Sequence, residues 1–264
     1  AATACAGVTL VGGPAPTSLL ALTADEVAAN AARTDGRRLA LLPTGGVVHD
    51  GTGYLFYDHA VLGPGVFDRE DLGTGLCALA AGAAACERIR AGGTTVLWAP
   101  GARVLNRGGA IDGDRARIAG CRRVAAFEDP CVVTGAPLDR LADPAAYQVL
   151  NVFSGWVDAL PDATAFADAA GALTVSPYQD GFLITTLDIF ASRFEVRRAR
   201  RVGEDVGHPV PIFDAAAPPS LFVQGGREHA GLRRGDEVHI SYVTDGAAAP
   251  GLHLATFRFF GGWQ

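Results

Sequence analysis

At 264 residues the chain is long enough for one large domain or two small ones, with a substantial core either way. It is 49% hydrophobic and 19% charged, with 34 Gly and 15 Pro, which excludes a disordered chain and describes a globular, turn-rich one. A net charge of −6, with no Lys and no Arg-rich face interleaved with aromatics, argues against nucleic acid as a partner.

Residues 1–36 read as an N-terminal extension that packs on a main domain at 37–264. Its one helical signal is Thr23 as N-cap, with Glu26 three residues on to complete a capping box and ADEVAANAAR following. Cys5, in Ala-Thr-Ala-Cys-Ala-Gly, faintly resembles a bacterial lipoprotein cleavage site, which would make it a lipid anchor. The residues ahead of it are still present, so a partner-bound or unpaired Cys is equally open. No initiator Met is present, as expected of a processed or trimmed form, and no apolar run approaches the roughly 20 residues that span a bilayer.

From Arg37 a strand pattern begins. LALLPTGGVVHDG gives two short apolar runs, and TGYLFYDHAVL a clear strand with Asp58 and His59 near its end. Asp68-Arg69-Glu70-Asp71 form a charged loop. In GLCALAAGAAACERI, Cys77 and Cys86 are equidistant from a turn at Ala81-Gly82, so a hairpin brings them face to face. TTVLWAPGARVL (94–105) opens the next unit, and NRGGAIDGDRARIAG is a polar loop or hairpin. Cys121 and Cys131 then flank VAAFEDP in the manner of the first pair. Two such local pairs point to disulfides and an oxidising compartment, against the alternative of small buried thiols. APLDRLADPAAYQVLN reads as a short helical turn followed by a strand.

The clearest stretch is 173–214. LTVSPY, FLITTLDIF, FEVRRARRV and HPVPIFD are rich in Val, Ile, Thr and Phe, and each is bounded by Gly, Asp, Ser or Pro. Four antiparallel strands in about forty residues is the size of one propeller blade. The basic run at 197–201 fits outward positions of a strand better than a phosphate site. A last unit runs from 221 to 260. Units recur at about 45–60 residues and strands dominate, which excludes a βαβ fold. The choice lies between a double-sheet sandwich and a propeller, and Gly-bounded sets of four strands favour an all-β propeller of four-stranded antiparallel blades.

Two regions of this pattern also carry a family resemblance. One is the order Tyr147, Gly155-Trp156, Ala165-Phe166, LTVSPY, FLITTLD, FEVRRAR, Gly207-His208-Pro209-Val210. The other is GREHAGLRR followed by EVHISYVTD. Together they resemble the DUF4185 family of secreted bacterial five-bladed propellers, which are similar to propeller glycoside hydrolases and include D-arabinan-degrading enzymes. The resemblance covers roughly residues 40–264. It implies four to five blades and an earlier acidic blade that nothing before Arg37 supplies, so the propeller is expected to be incomplete at its N-terminus.

Glycoside hydrolysis needs two carboxylates roughly 5–10 Å apart. Asp58 is one candidate, with His59 beside it as a ligand contact; a solvated strand end is the competing reading. Glu128, paired with Asp129 before Pro130, is a second, against an ordinary turn. Asp188 lies within an apolar strand and has to be paired or face the channel, unless the strand ends there. His229 stands where the resembling family places a His before its last inner strand; a ligand contact is one reading and a satisfied structural His the other. Trp156, with Trp98 and Trp263, offers a sugar-stacking face, against core packing. Asp112-Gly113-Asp114 has the flavour of a Ca²⁺ loop without its remaining ligands, and HExxH, CxxC, GxSxG and phosphate-binding Gly loops are absent, so no cofactor is expected. The reading is a secreted, periplasmic or cell-surface propeller that binds a polysaccharide or a protein partner without catalysis. The alternative is a glycoside hydrolase acting on a furanose-rich polysaccharide.

Overall fold

The computed structural model of the chain describes residues 19–65, 68–122, 124, 128–168, 172–188, 191–215, 223–244 and 251–259. Four antiparallel sheets follow one another along the chain and form a four-bladed β-propeller, as the strand pattern leads one to expect. The first blade comprises β1 (Arg38–His49), β2 (Thr52–Leu62), β3 (Arg69–Ala80) and β4 (Glu87–Arg88). The second comprises β5 (Gly109–Asp112), β6 (Arg115–Cys121), β7 (Pro130–Pro137), β8 (Gln148–Asn151) and β9 (Gly155–Val157), with β10 (Ala167–Asp168) returning onto β7. The third contains β11 (Leu173–Tyr178), β12 (Gly181–Asp188), β13 (Arg193–Arg201) and β14 (Glu204–Val206), with β15 (Val210–Asp214) also on β13. The fourth is β16 (Val223–Glu228), β17 (Glu237–Thr244) and β18 (Gly251–Arg258).

Strand composition follows from what covers each face. Successive side chains of a strand point to opposite faces. In β12, Phe182 and Ile184 join the core shared with the second blade, while Leu183 and Leu187 join the core shared with the fourth. Both faces are buried, so the strand reads as an almost unbroken apolar run. β17 differs. Val238, Ile240 and Tyr242 pack toward the third blade, and the intervening Glu237, His239, Ser241 and Val243 are only half-buried. Its alternation records a sheet with one covered face.

Two expectations are corrected. The apolar run at 94–105, expected to open the next unit, forms no described strand; it crosses from the first blade to the second, bridging to β3 at Thr74–Trp98 and accepting from Thr44 of β1 and Thr134 of β7 at the Leu105 and Val104 carbonyls. Gly92, Gly93 and Gly101 adopt φ of 58°, 82° and 75°, turning the backbone out of any ladder. Its Trp98 is buried against Phe56 and Tyr147, so core packing accounts for the apolar character. The two runs of 39–50 are likewise one long strand, interrupted by a register shift between Pro43 and Gly45.

Helix α1 (Ala24–Ala31) carries the expected capping box, with Glu26 N donating to Thr23 Oγ1 and Thr23 N to Glu26 Oε2. Glu26 also fastens the helix to the first blade. The Arg88 guanidinium, 7% exposed, donates to Glu26 Oε2 and Oε1 at 2.6 and 2.7 Å, to Thr95 Oγ1 at 2.6 Å and to Tyr57 Oη at 3.0 Å. The hydrogen bonds from Arg88 hold the Glu26 carboxyl at about 2, against an ordinary value of 4.5, despite burial acting the other way. At the far end of the helix, the Asn30 side chain bonds both backbone groups of Leu39 on β1.

Both cysteine pairs form disulfides. Cys77–Cys86 ties β3 to the segment leading into β4, and Cys121–Cys131 joins directly opposed residues of β6 and β7. Each closes a loop of nine or ten residues, worth about 2–3 kcal/mol through the unfolded chain.

The depressed Glu26 carboxyl gives a prediction with a defined sign. Because its folded value lies below its unfolded one, its contribution is complete above the ordinary value of 4.5 and is lost as pH falls toward 2. Glu26→Gln should therefore cost on the order of 2 kcal/mol at pH 7, after allowance for partial solvent screening, and little at pH 2.5. Urea denaturation at the two pH values reads the difference; an equal loss at both would refute the assignment.

Candidate functional site

The inner strands β1, β5, β11 and β16 border one central cavity of about 520 Å³. They come close because glycine occupies the contact points. A Cβ on Gly45 would stand 1.7 Å from the Arg107 carbonyl oxygen, and one on Gly108 would stand 2.8 Å from Val175 N. The wall is consequently backbone-rich and its ionisable side chains are few. Among the described lining residues these are Arg227 and Glu228, at the end of β16.

Glu228 is almost wholly enclosed, its side chain 1% exposed. Its backbone N–H is held by Thr174 Oγ1 of β11 at 3.3 Å. Oε1 accepts from Arg233 Nη2 at 2.8 Å, and Oε2 has no hydrogen-bond partner among the described residues. Arg233 is itself fixed: it donates to Ser176 Oγ at 2.7 Å and to the Pro177 carbonyl, and lies over the Tyr178 ring at 5.0 Å from its centroid. One oxygen of this buried carboxylate is committed, and the other is enclosed with its accepting capacity unused among the described residues.

A second cavity, about 300 Å³, opens between the first and second blades on the side where their inner strands begin. It brings Asp58 of β2 together with Arg69, Asp71 and Thr74 of β3 and with Arg103 and Asn106 of the interblade connection. Arg69 spans the two carboxylates, with Nη2 at 2.9 Å from Asp58 Oδ2 and Nε at 2.5 Å from Asp71 Oδ1. Burial pushes the Asp58 carboxyl up; Arg69 opposes this, and the neighbouring Asp71 charge adds to it. A protonatable carboxyl beside a second carboxylate is the arrangement that acid–base chemistry uses.

The candidates from sequence separate in space. Asp58 and His59 are adjacent in a strand and so point to opposite faces. His59 is buried with Nε2 3.3 Å from the Thr95 carbonyl oxygen, and burial depresses its ring. Asp188 closes β12, is exposed, and accepts from Ala191 N at 3.1 Å across the following turn. Glu128 is exposed in the loop closed by the Cys121–Cys131 bridge, its carbonyl accepting from Val124 N. His229 points away from Glu228, with Nε2 2.7 Å from Ser241 Oγ, and burial depresses it too. Trp156 carries the Arg115 guanidinium 4.3 Å from its ring centroid and that of Arg117 at 5.4 Å. Asp112 is engaged by Arg117 Nε at 3.0 Å, and no group of three metal-ligating side chains occurs among the described residues. Trp263 and Cys5 lie outside the described residues. The two residues that sequence reading passed over, Glu228 and Asp71, sit in charged runs. Only strand parity and pairing register distinguish them from solvated charges.

No protein-family model and no curated protein sequence matches the chain. Its fold is similar to that of a Bacteroides ovatus protein named as a candidate hydrolase, with 11% identity over 83% of this chain and 61% of that one and a TM-score of 0.62. The chain thus spans 61% of that relative's length. A GH43_1 enzyme from Xanthomonas citri is similar at 13% identity over 78% of this chain and 71% of that one, TM-score 0.50. In its complex with xylose the figures are 14%, 85% and 76%, with a TM-score of 0.51. At these identities the likeness is one of fold, the β-propeller.

The charge triangle of the interblade cavity is testable directly. Replacing Arg69 with Ala removes the interaction that holds the Asp58 proton affinity down, so the Asp58 titration should move to higher pH; Asp71→Asn should move it lower. Carboxyl-carbon NMR titration of the variants reads both shifts, and movement of either in the opposite sense would refute the coupling.

Proposed function

We propose that this chain is an extracellular or periplasmic glycan-binding propeller whose central cavity holds sugar without cleaving it. The observation that carries this reading is the cavity wall. Hydrolysis of a glycosidic bond calls for two carboxylates, one to protonate the leaving oxygen and one to act on the sugar. Among the described residues the central wall has Glu228 alone, and half of that carboxylate is committed to Arg233. What the wall does offer suits hydroxyl groups: the Thr44 and Thr174 side chains, glycine backbone at close approach, and an enclosed carboxylate oxygen with no partner among the described residues. Two disulfides fit an oxidising compartment. The resemblance to DUF4185 propellers makes a furanose-rich polysaccharide the first ligand to try, and the xylose complex of the Xanthomonas citri enzyme makes xylan the second. Attachment at the cell surface, through a protein partner or a lipid on Cys5, belongs to the same reading.

A second reading, a glycoside hydrolase, is favoured by the interblade cavity. There Asp58 would serve as the acid, its proton retained by burial, and Asp71 as the ionised partner that activates water or bears the developing charge. Asp188 and Glu128 line neither cavity among the described residues and take no part in this reading.

Calorimetric titration with arabinan- and xylan-derived oligosaccharides, run beside a reducing-end assay, separates the two. Binding that Glu228→Gln weakens by roughly tenfold, with no reducing ends released, is the expected result. Release of reducing ends that Asp58→Asn abolishes would replace the first reading with the second. Absence of both binding and release on every glycan tried would overturn both.

A further inference from the structure

The interblade cavity carries two arginines that acid–base chemistry at Asp58 does not need. Its first-blade side supplies the carboxylates of Asp58 and Asp71 with Arg69 between them. The connection to the second blade and the residue after β6 supply Arg103 and Arg122. Arg103 is half-buried, and its guanidinium is anchored on neutral oxygens: Nε donates to the Tyr147 carbonyl at 3.2 Å and Nη1 to the Ala102 carbonyl at 2.8 Å. Arg122 is exposed and is held by its backbone N–H, which donates to the Pro130 carbonyl next to the Cys121–Cys131 bridge. Neither guanidinium meets a carboxylate among the described residues. A half-buried cation without an ionic partner attracts an anion more strongly than a solvated one, because less water screens it.

We propose that this cavity binds an acidic sugar unit, a hexuronate, with Arg103 and Arg122 holding its carboxylate and Asp58 and Asp71 accepting from its hydroxyls. The mixed charge of the lining selects this ligand. A neutral sugar would leave the two arginines unmet. Inorganic sulfate or phosphate would meet them but would bring its remaining charge toward Asp58 and Asp71. A hexuronate carries one negative charge at one end of the ring and hydroxyl donors around the rest, so each side of the cavity finds its complement. The planar guanidinium matches a carboxylate in particular, since its N–H groups can serve both oxygens at once. A volume of about 300 Å³ suits a single sugar unit. No described lining residue is shared with the axial cavity, so this is a second and separate site. It extends the glycan reading from neutral polymers to those bearing acidic units, and it requires no cleavage.

Amide NMR titration of the full chain tests this with four probes: methyl glucuronide, methyl galacturonide, inorganic sulfate, and methyl glucoside, which has a hydroxymethyl group in place of the carboxylate. At least one uronide should shift the Thr74, Gly101 and Asn106 amides saturably, and the glucoside should bind there at least about tenfold more weakly. These amides lie apart from Gly45 and Gly108 of the axial wall, so the result stands whether or not the axis takes sugar. Arg103→Gln and Arg122→Gln should each weaken the uronide roughly tenfold, while Arg200→Gln, an equal loss of charge on the third blade, should not. Arg103 also anchors the connection; should its variant fail to fold, Arg122→Gln decides, because that side chain has no bond to the described residues. Four results would each overturn the proposal: no saturable shift of these amides by either uronide, equal affinity for the glucoside, unchanged affinity in Arg122→Gln, or sulfate binding as tightly as the uronide, which would leave a general anion site only.

Discussion

Four inner strands share one axis, and at two of the places where they meet there is no room for a side chain. The Arg107 carbonyl oxygen occupies the space a Cβ on Gly45 would need, and Val175 N crowds the same position on Gly108. Replacing either glycine would push neighbouring backbone apart, since the atoms met belong to rigid main chain rather than to the tip of a flexible side chain. The composition of the central cavity follows. Its wall is peptide groups, small residues and a few aliphatic side chains, with charge confined to the end of β16 where Arg227 and Glu228 stand. The spacing that makes the blades converge also limits what chemistry the axis can hold.

A second constraint governs the acidic residues. Three buried or nearly buried arginines each join segments far apart in sequence: Arg88 holds Glu26 of α1, Arg117 of β6 reaches Glu204 and the Val202 carbonyl of the third blade, and Arg233 holds Glu228 and the third blade's Ser176. The planar guanidinium serves several acceptors at once, which a lysine ammonium does less well, and the chain contains no lysine. Removing one partner of such a pair strands a buried charge. Glu26 and Glu204, thus engaged, are parts of the framework, whereas Glu228 commits only Oε1 in this way. Asp58 differs from Glu26 in this respect. Both accept from an arginine, but for Asp58 burial outweighs the ion pair and the carboxyl is pushed up.

Much of the architecture was legible because blade strands are short, Gly-bounded and sandwiched between sheets. LTVSPY coincides with β11, and the turns on either side of β12 carry left-handed residues at Gln179 and Ser192, φ 53° and 49°. The disulfides were legible from hairpin symmetry, and the capping box from its spacing. The site was much less so. Adjacency in sequence made Asp58 and His59 look like a dyad, yet strand parity sends them to opposite faces. Asp188 looked buried because apolar residues precede it, but its strand ends there and its carboxylate bonds the turn. Glu228 and Asp71 gave no local signal, since their significance comes from residues distant in sequence: Thr174 and Arg233 for one, Asp58 through Arg69 for the other. Local pattern encodes which face of a strand is covered. It does not encode what stands opposite.

This division bears on how function is distributed over the fold. The axial cavity and the interblade cavity share no lining residue among those described. The first has hydrogen-bonding capacity and one half-committed carboxylate. The second has two carboxylates bridged by a guanidinium, but it lies off the axis, reached through the second and third strands of the first blade and the connection that leaves it. In a propeller hydrolase whose acids stand on the inner strands, binding and cleavage occupy one funnel and cannot be separated by substitution. Under the proposed reading, recognition at the axis would depend on β16 and acid–base chemistry on β2 and β3, elements of the fourth and first blades. Loss of one leaves the geometry of the other intact, so a sugar-binding role at the axis does not require that the interblade carboxylates be functional.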